Sequence, residues 1–405
     1  MGTSINVEYD PFAPAFRADP YPAYEYLRRS APVHWAAQSK MWVVSRYADV
    51  LAVLKDTARF SSDAMASVLT GSTRRASGMP GIPRPSVVTS DPPIHAELRN
   101  IVNRGFTPKQ VSAWKPAVEV TVGECVDSMR TERRFDLVQQ LAVPVPVIVI
   151  ATVLGVEPGR YTDFKRWATV ITQGMNGSKR HLGYQGSGAA AASREMSEYL
   201  GGVIERRRGG PGTDVLSVLM RASEGDALTA QEAIDFANLL LFAGSETTAN
   251  LIGNAINALL THCDALAQVQ ADPSLIGAVI EETLRWDPPV HYIFRRAIED
   301  VEIAGTGIAK NSIIALLIAS ANHDEAAFGA DASKFDIARF PESPHVGFGF
   351  GAHFCLGAAL ARMETTVSLD RVVPLLSRAR RIDAPREYID SLQFHGLASI
   401  PMEWN

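Results

Sequence analysis

Apolar positions recur with helical spacing along most of the chain. The pattern predicts helices over roughly residues 21–30, 46–56, 92–104, 108–131, 160–175, 187–208, 229–261 and 357–378. Thr229-Ala-Gln-Glu232 is a capping box that opens a helix of roughly 30 residues, about 45 Å long. The longest apolar run, Leu141 to Val156, contains Pro144 and Pro146 and is too short to cross a bilayer, so a buried helix is expected. Strand signals are shorter. Val33-His-Trp, Trp42-Val-Val-Ser, and Val301-Glu-Ile followed by Ile313-Ile-Ala-Leu-Leu-Ile read as β-ribbons, the last pair joined through Gly305-Thr-Gly307. Those glycines, with Lys310 after them, lack Walker spacing and run into β-branched residues, so they predict a hairpin turn and not a phosphate loop. The expected fold is mainly α, one domain over residues 1–405, with a small β-rich flank formed by N-terminal and C-terminal segments.

Composition narrows the class. The chain is 46% hydrophobic and 20% charged over 405 residues, which excludes disorder, collagen and a disulfide scaffold. Net charge is 39 − 44 = −5, so no nucleic-acid surface is expected. The N-terminus lacks the basic and apolar regions of a signal peptide, and Asn6 breaks the myristoylation pattern begun by Met1-Gly2. A cytoplasmic protein that does not enter a membrane is expected. The Asn176-Gly-Ser178 sequon then reads as a chance match. Gly71 to Pro85, rich in glycine and proline, is long enough to suggest a functional loop.

Cys125, Cys263 and Cys355 are far apart and odd in number, as in a reducing compartment. The first two lie on amphipathic helical patterns and read as packing or surface thiols. Cys355 differs. Glycines at 347, 349 and 351 precede it in a backbone-exposing loop, and the helix-forming Ala358-Ala-Leu-Ala-Arg-Met-Glu follows. A cysteine at such a junction meets unpaired N–H groups and the positive end of the helix dipole, which favour a thiolate. Three readings stay open on these residues alone: a buried turn cysteine, a nucleophile with His353 as base, or a thiolate metal ligand. A zinc set is absent, because no other cysteine is near in sequence.

Phe348-Gly-Phe-Gly-Ala-His353-Phe-Cys355-Leu-Gly357-Ala-Ala-Leu-Ala resembles the haem-binding loop of the cytochrome P450 family, in its soluble bacterial branch. The resemblance runs from Asp10-Pro-Phe and Asp19-Pro-Tyr-Pro to the end of the chain. It implies the P450 fold, with haem b (iron protoporphyrin IX) buried between the long central helix and the cysteine loop, and Cys355 thiolate as the iron ligand. Ala243-Gly244-Ser-Glu246-Thr247-Thr248, polar within an otherwise apolar helix, resembles the family's oxygen-binding kink. By that likeness Glu246 and Thr247 are the catalytic acid–alcohol pair that manages protons during dioxygen activation. Ala243, Gly244, Phe348, Gly349 and Gly357 would contact the haem, while His95, Arg99, Arg295 and His353 would meet its propionates. Glu282-x-x-Arg285 alone is an i, i+3 surface ion pair worth little. It resembles the family's Glu-x-x-Arg signature, with Arg339 as the third member of a structural trio. His323 and Glu325 depart from the usual pattern.

The resemblance implies a monomeric monooxygenase that takes dioxygen and a mainly hydrophobic small organic substrate, for metabolite tailoring or catabolism. No flavin or iron–sulfur motif is present, so electrons would come from a ferredoxin or flavodoxin with its reductase, docking near Arg99, Arg104, Lys109 and Arg362. Family topology puts the loop 64–88, the segment 166–190, the helix around Leu239 to Thr247 and the tip Phe394-His-Gly-Leu397 over the distal haem face. Expected pocket residues are Leu240, Ala243, Val290, His291, Ile293, Phe294 and Phe394, with His291, Tyr292 and His395 as polar anchors. Arg74, Arg75 and Arg84 read as solvated loop arginines. A cysteine-nucleophile hydrolase and a haem-based sensor or carrier are the rival classes.

Overall fold

The structure, a computed structural model, describes residues 9–65, 86–176, 188–207, 212, 214–224, 228–339 and 342–405. The loop expected over residues 71–85, with its three arginines, lies outside them, as does Ser178 of the sequon. The expected helices form at Tyr21–Ser30, Tyr47–Lys55, Ile94–Asn103, Pro108–Arg130, Tyr161–Asn176, Ala189–Arg207, Ala230–Thr261 and Ala358–Leu376. Others that the pattern did not delimit are added, the longest of them Val215–Glu224, Cys263–Ala271 and Ile276–Trp286. The apolar run resolves into a π-turn at Val138–Ala142 and a buried helix, Pro144–Val153. Proline at the first helical position needs no N–H partner, so Pro144 starts that helix without loss. No helix among the described residues is long and apolar enough to cross a membrane.

The Ala230–Thr261 helix is the axis of the largest core. Its capping box is present: Thr229 Oγ1 accepts from the Glu232 N–H at 3.1 Å, and Glu232 accepts from the Thr229 N–H at 2.7 Å. The helix runs unbroken through the expected kink. Ser245 and Thr247 instead turn their hydroxyls back to the Leu241 and Ala243 carbonyls, both at 2.7 Å. Such back-bonding lets a helix carry buried hydroxyls without leaving them unsatisfied.

Five strands form the main sheet, in the order Val33–Ala36, Met41–Val44, Ile313–Leu317, Tyr292–Ala297 and Phe60–Ser61. The sequence reading mispaired one of them. Val301–Ile303 folds onto Thr306–Ile308, with Ala304 (φ 46°) and Gly305 (φ 78°) both left-handed at the tip. Two positive-φ residues are what a tight two-residue hairpin requires, and they close the ribbon before Ile313 is reached. Ile313–Leu317 then pairs with Tyr292–Ala297 and Met41–Val44. Both faces of this sheet are buried, and alternate residues serve different cores. Ile314 and Leu316 join one cluster, whereas Ala315, Leu317, Tyr292 and Phe294 join another with Tyr24 and Leu27.

Glu282 and Arg285 are not a surface pair. Their side chains are 5% and 2% exposed, and the contact is bidentate at 2.8 and 2.7 Å. The remaining N–H groups of Arg285 reach the carbonyls of Asn322, Ala332 and Lys334 at 2.7–2.9 Å. Arg339 adds a 3.4 Å contact to Glu282, so the trio comes together as expected. His323 is buried against the Tyr21 ring with Nε2 2.7 Å from the Trp286 carbonyl, and Glu325 pairs with Arg29 at 2.7 Å. The departures at these positions are therefore absorbed by local partners.

Candidate active site

The cysteine loop is set by close backbone approach. Asn322 donates to the Leu284 carbonyl at 3.1 Å and accepts from the Val346 N–H at 2.8 Å, tying the loop's entrance to the Glu282–Arg285 helix. At the next residue a Cβ on Gly347 would lie 2.5 Å from the Leu284 carbonyl oxygen, so only glycine fits. Gly349 and Gly351 follow with φ of 70° and 71°. The Cys355 N–H then closes onto the Phe348 carbonyl at 3.0 Å, and the long helix starts at Ala358. Arg362 holds Glu281 at 2.6 Å and lies 4.6 Å over the Phe348 ring, bracing the loop from beneath.

Cys355 lines a cavity of about 310 Å³. The backbone N–H groups of Gly357 and Ala358, with Arg99 and Arg362, favour its thiolate, yet burial outweighs them and pushes the thiol up. The helix-end argument therefore has the right sign and too little strength. A thiolate at this depth calls for a cation at the sulfur itself. His353 Nε2 is hydrogen-bonded to Ser62 Oγ at 2.9 Å, which takes that nitrogen out of a Cys–His dyad.

The same cavity is lined by Ala243, Gly244 and Thr247 of the central helix and by Phe348, Gly349 and Gly357 of the loop. Glu246 is half-buried one residue before Thr247 and does not line it. The expected anion-binding groups converge at one edge. Arg99 and Arg295 line the cavity, and Arg99 donates to the Phe354 carbonyl at 2.7 Å. The His95 and His353 rings sit 4.0 Å apart. Burial pushes Arg295 down to about 10, and burial with neighbouring Arg295, His95 and Arg99 pushes His353 down to about 3. His95 Nε2 is buried with no hydrogen-bond partner among the described residues. Asp91, the nearby carboxylate, is already held by Ser61 and by the Ser62 N–H at 2.8 Å. Desolvated cations and an orphaned imidazole around a cavity are a receptor for carboxylates. A flat, dianionic iron porphyrin fits this donor set: thiolate beneath, guanidinium and imidazole groups at the rim, small residues on both faces.

Of the expected pocket residues, Leu240, Ala243, Val290, Ile293 and Phe394 line the cavity. His291 and Phe294 do not, and for Phe294 the reason is strand alternation. Phe294 projects to the opposite face of its strand and is fully buried among the N-terminal helix contacts. His291 is bonded to Tyr24 at 3.2 Å, Tyr292 to Tyr9 at 3.0 Å, and His395 to Asp287 at 2.9 Å. None of these three is a polar anchor of the cavity. That part falls to Gln393, unforeseen, which lines the cavity and whose amide donates to the Met65 sulfur at 3.6 Å. Glu364 was also missed. It lines the cavity, is 2% exposed, and burial pushes its carboxyl well up. Its position on the helix after Cys355 was the available signal.

Residues 29–377 match the family model described as Cytochrome P450. The putative cytochrome P450 YjiB of Bacillus subtilis is 34% identical over 87% of this chain and 86% of its own. Vitamin D(3) 25-hydroxylase of Pseudonocardia autotrophica is 36% identical over 99% and 98%. The solved structure of cytochrome P450 CYP109Q5 from Chondromyces apiculatus superposes with a TM-score of 0.87 at 37% identity, covering 98% of each chain. That of CYP109E1 from Bacillus megaterium in complex with corticosterone gives 0.85 at 33%, covering 96% and 100%.

Gly347→Ala should displace the cysteine loop from the Leu284 carbonyl. The expected outcome is a haem-to-protein absorbance ratio well below that of the parent and a lower melting temperature. An unchanged ratio would mean the contact is not what sets the loop.

Proposed function

The chain belongs to the cytochrome P450 family of haem b monooxygenases, and from that premise we propose which residues carry the reaction and what it acts on. The observation that supports the reading is the single cavity shared by Cys355, Thr247 and the Arg99–Arg295–His353 rim. Bound in this cavity, haem b would supply the redox chemistry of a monooxygenase, which reduces dioxygen with two protons and two electrons to give one water and one oxygen atom for the substrate.

Cys355 would ligate the iron, and His95, Arg99, Arg295 and His353 would hold the propionates. Thr247 positions protons. Its own hydroxyl proton is engaged by the Ala243 carbonyl at 2.7 Å, so its lone pairs face the cavity as acceptors for a water or another proton donor. Glu246, on the same turn, passes protons in from the solvent side. Glu282, Arg285 and Arg339 act structurally. Residues 1–405 work as one domain, a cytoplasmic monomer.

The substrate is a mainly hydrophobic small molecule with few polar groups. Leu239, Leu240, Val290, Ile293 and Phe394 supply an apolar wall, and Gln393 a single amide for a carbonyl or hydroxyl. Structures of the similar CYP109E1 in complex with corticosterone and testosterone agree with a guest of that class. Electrons come from a ferredoxin or flavodoxin with its reductase. Exposed Arg104 and Lys109 flank the proximal side, whereas Arg362 is committed to Glu281 and Phe348 and is a poor probe of docking.

Three outcomes are expected. In Thr247→Ala, product formed per reducing equivalent falls by about an order of magnitude or more while consumption persists; tight coupling in that variant removes Thr247 from its role. Testosterone shifts the haem absorbance from low to high spin in a saturable titration, and a sugar of similar size does not; equal responses would discard the apolar-substrate reading. Arg104→Glu with Lys109→Glu slows reduction by a ferredoxin by roughly tenfold at low salt, and unchanged kinetics would move the docking face elsewhere.

A further inference from the structure

Gln393 and Phe394 reach the cavity from the tip of residues 387–398. Within that segment Tyr388 and Leu397 form a bridge, and the Ile389 N–H donates to the Gly396 carbonyl at 3.0 Å. Other segments hold the tip in place. On one side the His291 N–H donates to the Gln393 carbonyl and the His395 N–H to that of Pro289, both at 2.9 Å. The His395 ring adds contacts to Asp287 Oδ1 and the Arg17 carbonyl, at 2.9 and 3.1 Å.

The other side of the tip rests on the Ala230–Thr261 helix. The Phe242 and Phe394 rings, both at the cavity wall, lie 6.1 Å apart. Further along, Asn254 is buried and its Nδ2 donates to the Asp287 and His395 carbonyls at 3.0 and 3.1 Å. An amide nitrogen carries two N–H groups, so one side chain joins both segments to the helix. Asn250, also buried, meets Gly396 by shape. A Cβ at position 396 would lie 2.4 Å from Asn250 Oδ1 and 3.1 Å from Asn250 Cβ, an atom that moves only with the helix. Asn250 Nδ2 has no hydrogen-bond partner among the described residues, so packing alone makes this contact. Thr247, Asn250 and Asn254 are spaced i, i+3, i+7 and share one helix stripe. At 1.5 Å per residue, Asn254 stands about 10 Å along the axis from Thr247. A single rigid element therefore carries both Thr247 and the seat of the tip.

We propose, on the reading of this cavity as a haem and substrate site, that Asn254, Asn250 and Gly396 are positioning residues for substrate selectivity. They fix how far Gln393 and Phe394 project into the cavity, measured along the helix that bears Thr247. None of the three lines the cavity, so they act on a guest through the tip. Asn254→Asp keeps the side-chain volume but sets acceptors against two carbonyls, which releases both segments. Gly396→Ala works as a spacer, holding the tip off Asn250 and widening the gap between Phe242 and Phe394.

The test uses haem-loaded enzyme and a ladder of 1-alkylimidazoles, from methyl to hexyl. Their free ring nitrogen ligates haem iron and shifts its absorbance, and the alkyl chain reads the room beside it. These probes report the cavity whatever the natural substrate, so a failure of testosterone to bind and a failure of the seat are read separately. Gly396→Ala and Asn254→Asp should each move the ratio of methyl to hexyl dissociation constants by about fivefold or more, in favour of hexyl, with haem retained. Adding Asn250→Ala to Gly396→Ala makes room for the new methyl and should return the ratio toward that of the parent, a compensation that general loosening does not give. A ratio unmoved in either single variant, or unrestored in the double one, overturns the proposal. Where the variants fail to fold, amide hydrogen exchange of the parent decides. Protection of the His291 and His395 N–H groups alongside the central helix supports the seat, and exchange as fast as in exposed loops overturns it.

Discussion

The buried pair of Glu282 and Arg285 is the contact on which the rest of this protein depends. A guanidinium carries five N–H donors, and here all five are taken: two by Glu282 and three by the carbonyls of Asn322, Ala332 and Lys334. Those carbonyls belong to irregular chain with few ladder bonds of its own. Removing one member of such a buried pair typically costs about 3–5 kcal/mol, because the other is left as an uncompensated charge. The pair therefore earns its place less by net stability than by fixing the path of residues 322–339. From Asn322 the constraint passes to Val346, and from there to the glycine that lies against the Leu284 carbonyl.

That path determines the chemistry available at the cavity. Cys355 is delivered to one side of it and Thr247 to the other, by segments more than a hundred residues apart in the chain. Each side carries groups whose charged or unpaired forms are penalised by burial: a thiol pushed up, arginines pushed down, an imidazole without a partner. Read singly these are destabilising features. Together they describe the complement of an iron porphyrin, cationic at its centre and anionic at its edge. The protein is arranged so that its cofactor resolves several unfavourable burials at once.

The distal wall shows how strand geometry sorts residues that a linear reading lumps together. Ile293 and Arg295 face the cavity while Tyr292 and Phe294 face the N-terminal helix, because side chains alternate along Tyr292–Ala297. His291 and His395, natural choices for polar anchors, are instead tied to Asp287 and to tyrosines behind the wall. Gln393 takes their place in the cavity, although nothing in its sequence neighbourhood marks it.

The sequence by itself determined most of the long helices, the capping box at Thr229, the glycine-lined cysteine loop and the residue types at the haem rim. Those features are local, written in periodicity, in turn chemistry and in motifs of fixed spacing. It also carried the family, since Cys355 and its neighbours form a long and specific pattern. The tertiary structure alone decided the partner of each strand, because pairing depends on where a hairpin closes; here the left-handed pair Ala304–Gly305 ended the ribbon early. It decided that the Glu282–Arg285 pair is buried, since exposure depends on what packs over a helix face. It alone decided which of two adjacent side chains sees the cavity, and it brought Asp287, His291 and His395 together. Such facts depend on contacts between segments distant in the chain, which no local pattern encodes.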